Sequence, residues 1–511
     1  MTSTEVAADG FFTAVLAHPD RPALIGPGEL GFGERRRVTF GELRARANQV
    51  SNGLRDLGLV RGDVVAAMVR NDSTYFELVL ATGQIGLYLV PINTHLAPAE
   101  AAYIVRDSDA KVLVAHADLA AELGPLVQHR FAVAGEAPGW SSYEGFGGSA
   151  EDPADRSSGV IMGYTSGTTG RPRGVKRPLP DLTPERLAAM TTGLSRMSGL
   201  VSGEGTHLVT SPLYHAAPGS YAMSALHLGH TVVVHERFDA EATLRDIERY
   251  RVTSSHMVPT HFHRMLRLPA AVRERYDLSS LRTLVHAGAP CPVEVKRQMI
   301  EWVGPILWEY LGATEGMVST VGSPEWLARP GTVGRPFPGF VVKLLDDTGA
   351  EVPVGEAGTI YFGGSGTFEY HNDPDKTRAG RAHGLPTVGD IGRFDEDGYL
   401  YLLDRRTDLI LSGGVNIYSA EIEQHLITHP SVSDVAVIGV PDPEWGQSVL
   451  AMVQPADPAM VGEDLADELA AYCKDGLASY KRPRRYEFRS DFPRSAAGKL
   501  LRRELRDEYG R

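Results

Sequence analysis

The sequence predicts an α/β fold, and three observations carry that prediction. Strand-like apolar runs alternate with helical stretches between residues 11 and 155. The same alternation returns between residues 207 and 301. Near Gly331 the texture changes to short strands with Asp/Gly turns, and residues 406–511 then read as another compact α/β unit. Strands separated by helices favour sheets covered by helices on both faces.

Residues 39–54 carry apolar side chains at helical spacing behind Thr39, a capping residue type. Residues 64–69 read as a buried strand, 76–87 as a helix and 111–115 as a strand. Gly159-Val160-Ile161-Met162-Gly163 is a short buried strand. In the second set the strands fall at 207–210, 231–235, 255–259 and 281–285, with helices at 240–250 and 292–301. Residues 340–349 and 358–362 predict a small antiparallel piece, whereas residues 369–387 are polar and read as loop. The C-terminal unit contains a helix at 419–429, a strand at 433–440 and a helix at 465–476. A boundary at Asp404-Arg405-Arg406-Thr407-Asp408 separates two bodies.

A chain of 511 residues exceeds one ordinary domain and can bury a large core. Its 42% hydrophobic and 23% charged content is that of a soluble globular protein. A net charge of −13 argues against a general nucleic-acid binder, though local clusters can still hold small anions. Cys291 and Cys473 are far apart and form no C-x-x-C pattern, which disfavours a disulfide framework or structural zinc. The first ten residues lack the basic and apolar regions of a signal peptide, and no apolar run reaches eighteen residues. The expectation is a cytoplasmic protein without an integral membrane segment.

The most specific stretch is Tyr164-Thr165-Ser166-Gly167-Thr168-Thr169-Gly170-Arg171-Pro172-Arg173-Gly174-Val175-Lys176. Hydroxyls and bare backbone N–H groups suit phosphate oxygens, glycines allow close approach, and the cations offset a polyanion. The Gly-Lys-Ser/Thr of a Walker loop is absent. Such a cluster alone also fits a surface turn. Four further motifs follow in order. They are Gly288-Ala289-Pro290 with Tyr310-Leu311-Gly312-Ala313-Thr314-Glu315; Val388-Gly389-Asp390 with Asp404-Arg405; Leu411-Ser412-Gly413-Gly414-Val415-Asn416-Ile417; and Pro493-Arg494-Ser495-Ala496-Ala497-Gly498-Lys499.

Together these motifs resemble the adenylate-forming superfamily of acyl-CoA synthetases, amino-acid adenylation domains and luciferases, and the resemblance spans nearly the whole chain. It implies a large N-terminal domain, residues 1–404, made of two stacked α/β subdomains plus the antiparallel piece. A hinge at 405–408 then leads to a small mobile α+β C-terminal domain at 409–511. It implies that Thr165, Ser166, Gly167, Thr168, Thr169, Gly170 and Lys176 cradle ATP phosphates. Glu315 would hold Mg²⁺ and Thr314 a phosphate. Gly288, Ala289 and Pro290 would lie beside adenine with Tyr310, Leu311 and Gly312, although relatives commonly carry an aromatic residue where Leu311 stands. Asp390 and Arg405 would reach the ribose, a role that suits a carboxylate because it can accept both hydroxyls. Gly413 and Gly414 would shape the CoA tunnel, and Lys499 would stabilise the transition state of adenylation. His215, in Pro212-Leu213-Tyr214-His215, takes the acid-pocket position.

The expected activity is an ATP-dependent acid–CoA ligase acting on a fatty or aromatic carboxylic acid, with ATP, Mg²⁺ and CoA as cofactors. No carboxylate occurs between Thr210 and His235, which disfavours an amino-acid substrate. Two other readings stay open at this stage: an adenylating enzyme that serves a carrier protein or amine, or activates another oxyanion; and a binding protein with a decayed ATP site. The oligomeric state is open, with a homodimer among the readings.

Overall fold

Thr39 starts its helix as its residue type predicts. In this computed structural model the Thr39 hydroxyl accepts from Glu42 N at 3.1 Å and the Glu42 carboxylate accepts from Thr39 N at 2.8 Å, a reciprocal cap on the helix Phe40–Asp56. Such a cap contributes about 1 kcal/mol. The structure describes residues 10–26, 36–123, 125–165, 172–364, 366–494 and 500–509, without the side chains of 14–16.

The predicted strand runs assemble into two large sheets. A six-stranded sheet has the order Ser141–Ser142, His129–Val133, Ala110–His116, Val64–Met68, Tyr88–Pro91, Val160–Ile161, and every pairing in it is parallel. A parallel sheet is covered on both faces, which explains why Val64–Met68 is apolar and buried throughout. The nine-stranded sheet has a parallel centre, Leu307–Ala313, Thr283–His286, Ser254–Met257, Thr206–Val209, Thr231–Val234 and Pro22–Ile25. Antiparallel strands Gly316–Gly322 and Arg37–Thr39 flank that centre.

One sequence expectation changes here. Residues before 155 read as one strand–helix set, yet Pro22–Ile25 pairs in parallel with Thr231–Val234 of the second sheet. The chain therefore begins in one sheet, builds the other, and returns. A single core spans both: Val65, Leu89 and Val112 of the first sheet share it with Val209, Val232 and Val285 of the second. Leu43, Leu54, Phe76 and Tyr221, from the helices between, fill the space.

The antiparallel piece is a four-stranded sheet, Val341–Leu345, Gly358–Gly363, Asp390–Phe394 and Leu400–Arg405. A separate sheet follows in the chain. In it Val415–Ile417, Ile410–Ser412, Gly446–Pro455 and Val432–Asp442 are joined by Arg485–Phe488. Only residues 406–409 link the two.

Residues 369–387, read as loop, instead hold the short strand Glu369–Tyr370, the helix Pro374–Ala379 and a two-stranded turn. The helix is capped by Asp373, whose side chain accepts from Lys376 N at 3.0 Å, and it has Pro374 in its first turn. It is too short to carry an apolar stripe, so periodicity misses it.

Buried histidines sit in the nine-stranded sheet, His207 and His256, and in the helix Pro259–Leu266 that follows one of its strands, His261. Burial pushes His207 and His261 down to about 3 and His256 to about 4, so all three are neutral in the folded protein. The unfolded chain takes up their protons near pH 6.5, which works against folding below that pH. Each histidine should lower stability by up to about 1.4 kcal/mol per pH unit from 6.5 down to its folded value. Thermal unfolding of His207→Gln should show a shallower loss between pH 6.5 and 4 than the unsubstituted protein. Parallel curves would remove His207 from this account.

Candidate active site

The strands Gly163–Thr165 and Arg173–Lys176 pair antiparallel, with Arg173 opposite Thr165. They bracket the phosphate-type loop. Ser166, Gly167, Thr168, Thr169 and Gly170 themselves lie outside the described residues, and so does Lys499. Thr165 ends the incoming strand. Lys176 ends the outgoing one, its ammonium 5.4 Å over the Tyr88 ring.

The Thr314–Glu315 turn lies against this hairpin. A side chain at Gly163 would meet Thr314 Cγ2 at 3.0 Å. Arg177, just past the outgoing strand, donates Nη2 to the main-chain carbonyls of Thr314 (3.0 Å) and Glu315 (2.8 Å). Glu315 is only 6% exposed, and Tyr370 Oη donates to its Oε1 at 2.9 Å. Burial and the neighbouring carboxylate push the Tyr370 phenol up, so it remains a donor. Among the described residues Glu315 has no salt bridge. A buried carboxylate is a hard oxygen donor, and this chemistry fits Mg²⁺.

The other nucleotide-type residues line one cleft of about 840 Å³. Gly288, Ala289, Pro290, Tyr310, Leu311, Gly312, Asp390 and Arg405 lie on its wall. Asp390 and Arg405 are direct cross-strand partners, and Arg405 Nε sits 3.0 Å from Asp390 Oδ1. The opposite wall comes from the C-terminal part, with Arg494, Leu500, Arg502 and Arg506 among its residues. Arg494 and Leu500 bridge each other across residues 495–499.

Strand alternation separates Tyr310 from Leu311. The Tyr310 hydroxyl meets His256 Nε2 at 3.3 Å and its ring faces Tyr221, while Leu311 packs on the Val318–Leu344 cluster. Behind this strand the fully buried Lys296 ammonium pairs with Glu309 at 2.6 Å and lies 4.7 Å over the Trp326 ring. His215 immediately precedes the helix Ala216–His227 and packs on Tyr214, 4.7 Å between ring centres. Among the described residues the cleft lining includes neither His215 nor Thr165, Lys176, Thr314, Glu315, Gly413 or Gly414. The two glycines form the exposed turn between Ile410–Ser412 and Val415–Ile417, with positive φ of 59° and 80°.

Sequence reasoning missed the residues that join the two walls. Asp404 accepts from Ser419 Oγ at 2.8 Å, and burial raises its carboxyl. Asp408, next to Thr407, accepts from Arg506 at 2.7 Å and from Arg502 at 3.4 Å. His263 Nε2 donates to the Ser433 carbonyl at 2.9 Å. Arg177 and Tyr370 were also missed. Only Phe368-Glu369-Tyr370, an alternating aromatic triplet, offers a strand signal.

Two family models match the chain: "AMP-binding enzyme" over residues 11–370 and "AMP-binding enzyme C-terminal domain" over residues 421–499. A feruloyl-CoA synthase of Amycolatopsis sp. is 35% identical over 483 residues, covering 93% of this chain and 94% of its own. The o-succinylbenzoate CoA synthetase of Bacillus subtilis, solved with its acyl-adenylate intermediate, superposes with a TM-score of 0.79 at 29% identity, covering 97% of each chain. An amide bond synthetase from Marinactinospora thermotolerans superposes with a TM-score of 0.80 at 28% identity, covering 99% of this chain and 100% of its own.

The Lys296–Glu309 pair anchors the strand that carries Tyr310, Leu311 and Gly312. Lys296→Met should destabilise the protein by about 3–5 kcal/mol, because it strands a buried carboxylate. Adding Glu309→Leu should recover much of that loss. Chemical denaturation measures both, and a single variant as stable as the parent would contradict the anchoring role.

Proposed function

The chain belongs to the AMP-binding enzyme family, and from that membership we propose that it is an ATP-dependent acid–CoA ligase acting on an aromatic or fatty carboxylic acid. The carrying observation is the single cleft in which Gly288–Pro290, Leu311, Asp390 and Arg405 face Arg494 and Leu500 from the C-terminal part. Relatives named for feruloyl and succinylbenzoyl substrates support an aromatic acid.

In the first half-reaction a carboxylate oxygen of the acid attacks the α-phosphorus of ATP. A new P–O bond forms, the bond to the bridging oxygen breaks, and pyrophosphate leaves. The protein's part is positioning and charge stabilisation. Asp390 accepts from the ribose hydroxyls with Arg405 beside it. Gly288, Ala289, Pro290 and Leu311 border the adenine. Thr165 and the loop after it would hold the triphosphate, and Glu315 would hold Mg²⁺, which would supply charge neutralisation there. Lys499 stabilises the charge that builds between the acid and the α-phosphate.

In the second half-reaction the CoA thiol attacks the acyl carbon and AMP leaves. We assign this step to a rotated arrangement, with residues 405–408 as hinge between 1–404 and 409–511. The turn at Gly413 and Gly414 then replaces the Arg494–Leu500 segment in the cleft. Its surroundings suit a surface that repacks: Leu411 is 53% exposed, Val415 43% and Trp445 38%. ATP and CoA as co-substrates point to the cytoplasm.

The superposition on an amide bond synthetase favours one second reading, in which an amine takes the acyl group. A panel of carboxylic acids with ATP, read as pyrophosphate release with and without CoA, separates the two. Thioester formation is expected; turnover that ignores CoA and yields no thioester would overturn the ligase reading. Lys499→Ala should abolish adenylate formation and largely spare thioester formation from a supplied acyl-adenylate. Equal loss in both halves would contradict its assigned role.

A further inference from the structure

We propose that Tyr370 is a positioning residue for Glu315: its phenol ties one carboxylate oxygen so that the other is presented to the divalent cation of bound ATP. This inference rests on the AMP-forming reading and goes one layer deeper into the same site.

Three observations carry it. First, the contact is direct and dry. Tyr370 Oη lies 2.9 Å from Glu315 Oε1, with Tyr370 8% and Glu315 6% exposed. Water therefore competes weakly for that oxygen, and a hydrogen bond to a charged acceptor is shorter and stronger than one between neutral groups. Second, Tyr370 belongs to the phosphate-loop framework. Its strand pairs with the outgoing strand of the loop hairpin, Tyr370 opposite Val175. The phenol thus transmits the position of that hairpin to a carboxylate 55 residues away in sequence.

Third, Tyr370 is itself immobilised. Its backbone N–H donates to Thr377 Oγ1 at 2.9 Å, from the helix Pro374–Ala379. Its ring meets Phe368 edge-on, centres 5.5 Å apart. The guanidinium groups of Arg177 and Arg381 lie 5.9 and 5.4 Å from the Phe368 ring. Arg381 also donates to the Phe368 carbonyl at 2.6 Å. Arg177 separately holds the backbone carbonyls of Thr314 and Glu315. The carboxylate is therefore fixed at both ends, through its main chain by Arg177 and through one oxygen by Tyr370. A carboxylate ligand so held loses less rotational freedom when it meets a cation, which is how outer groups tune metal affinity.

The test uses Mn²⁺ as probe on the full chain with ATP held below the protein concentration and no acid, against a protein-free Mn²⁺–ATP titration as the reference. The free Mn²⁺ electron paramagnetic resonance signal reports the dissociation constant. Tyr370→Phe should weaken Mn²⁺ binding by on the order of tenfold. ATP affinity without metal and the unfolding temperature should stay close to the parent's, which a merely structural role would not separate. In a Glu315→Gln background the same change should add nothing. Tyr370→Met also lacks the hydroxyl, and it should show the same loss if the phenylalanine variant does not fold. Parental Mn²⁺ affinity in either hydroxyl-free variant overturns the proposal. Because metal binding is read without an acid, failure of the ligase reading shows separately, as no acid-dependent pyrophosphate release with Mn²⁺ binding intact.

Discussion

A buried carboxylate, Glu315, with no salt bridge among the described residues is the constraint around which the proposed site is arranged. Glu315 is nearly inaccessible, and its charge is met by a tyrosine hydroxyl and by a guanidinium bound to its own backbone. Leaving a carboxylate so placed is expensive unless a ligand completes it. The surrounding contacts put it beside the hairpin strands that bracket the phosphate-type loop. Gly163 admits Thr314, Arg177 directly follows the outgoing hairpin strand, and a third strand carries Tyr370.

The second requirement of the proposed function is that two bodies meet across the nucleotide and also separate. Among the described residues, polar contacts join them directly and through the hinge. Asp404 binds Ser419, His263 binds the Ser433 carbonyl, and Arg506 binds both Asp408 and the Thr407 carbonyl. Hydrogen bonds of this kind contribute about 1 kcal/mol each and re-form with water when broken. A dry apolar seam would resist rotation more strongly, and interfaces of the polar kind generally permit domain motion. The large apolar clusters stay within each body, Val65 with Val209 in one and Ile410 with Val453 in the other.

The fold class was legible because strand and helix periods are local properties. Residues 240–250 were bounded correctly, and residues 39–54 began at the right cap, because Asp239 and Thr39 are side chains that satisfy helix-start N–H groups. The stretch at 369–387 was not legible, since a two-residue strand and a six-residue helix carry no period to read. The motif residues were legible as a set, but nothing local says that Tyr310 meets His256 and Tyr221 while Leu311 packs on the Val318–Leu344 cluster.

The sequence by itself determined the two strand–helix sets, the separate C-terminal unit and the family to which the chain belongs, because those rest on local pattern and on residue order. Only the tertiary structure decided that Pro22–Ile25 crosses into the second sheet, and that Arg177 and Tyr370 converge on the Thr314–Glu315 turn. Such pairings join segments tens to hundreds of residues apart. Their partners are selected by a shared core and by the need to satisfy buried polar groups, and neither condition is written in any short stretch of chain.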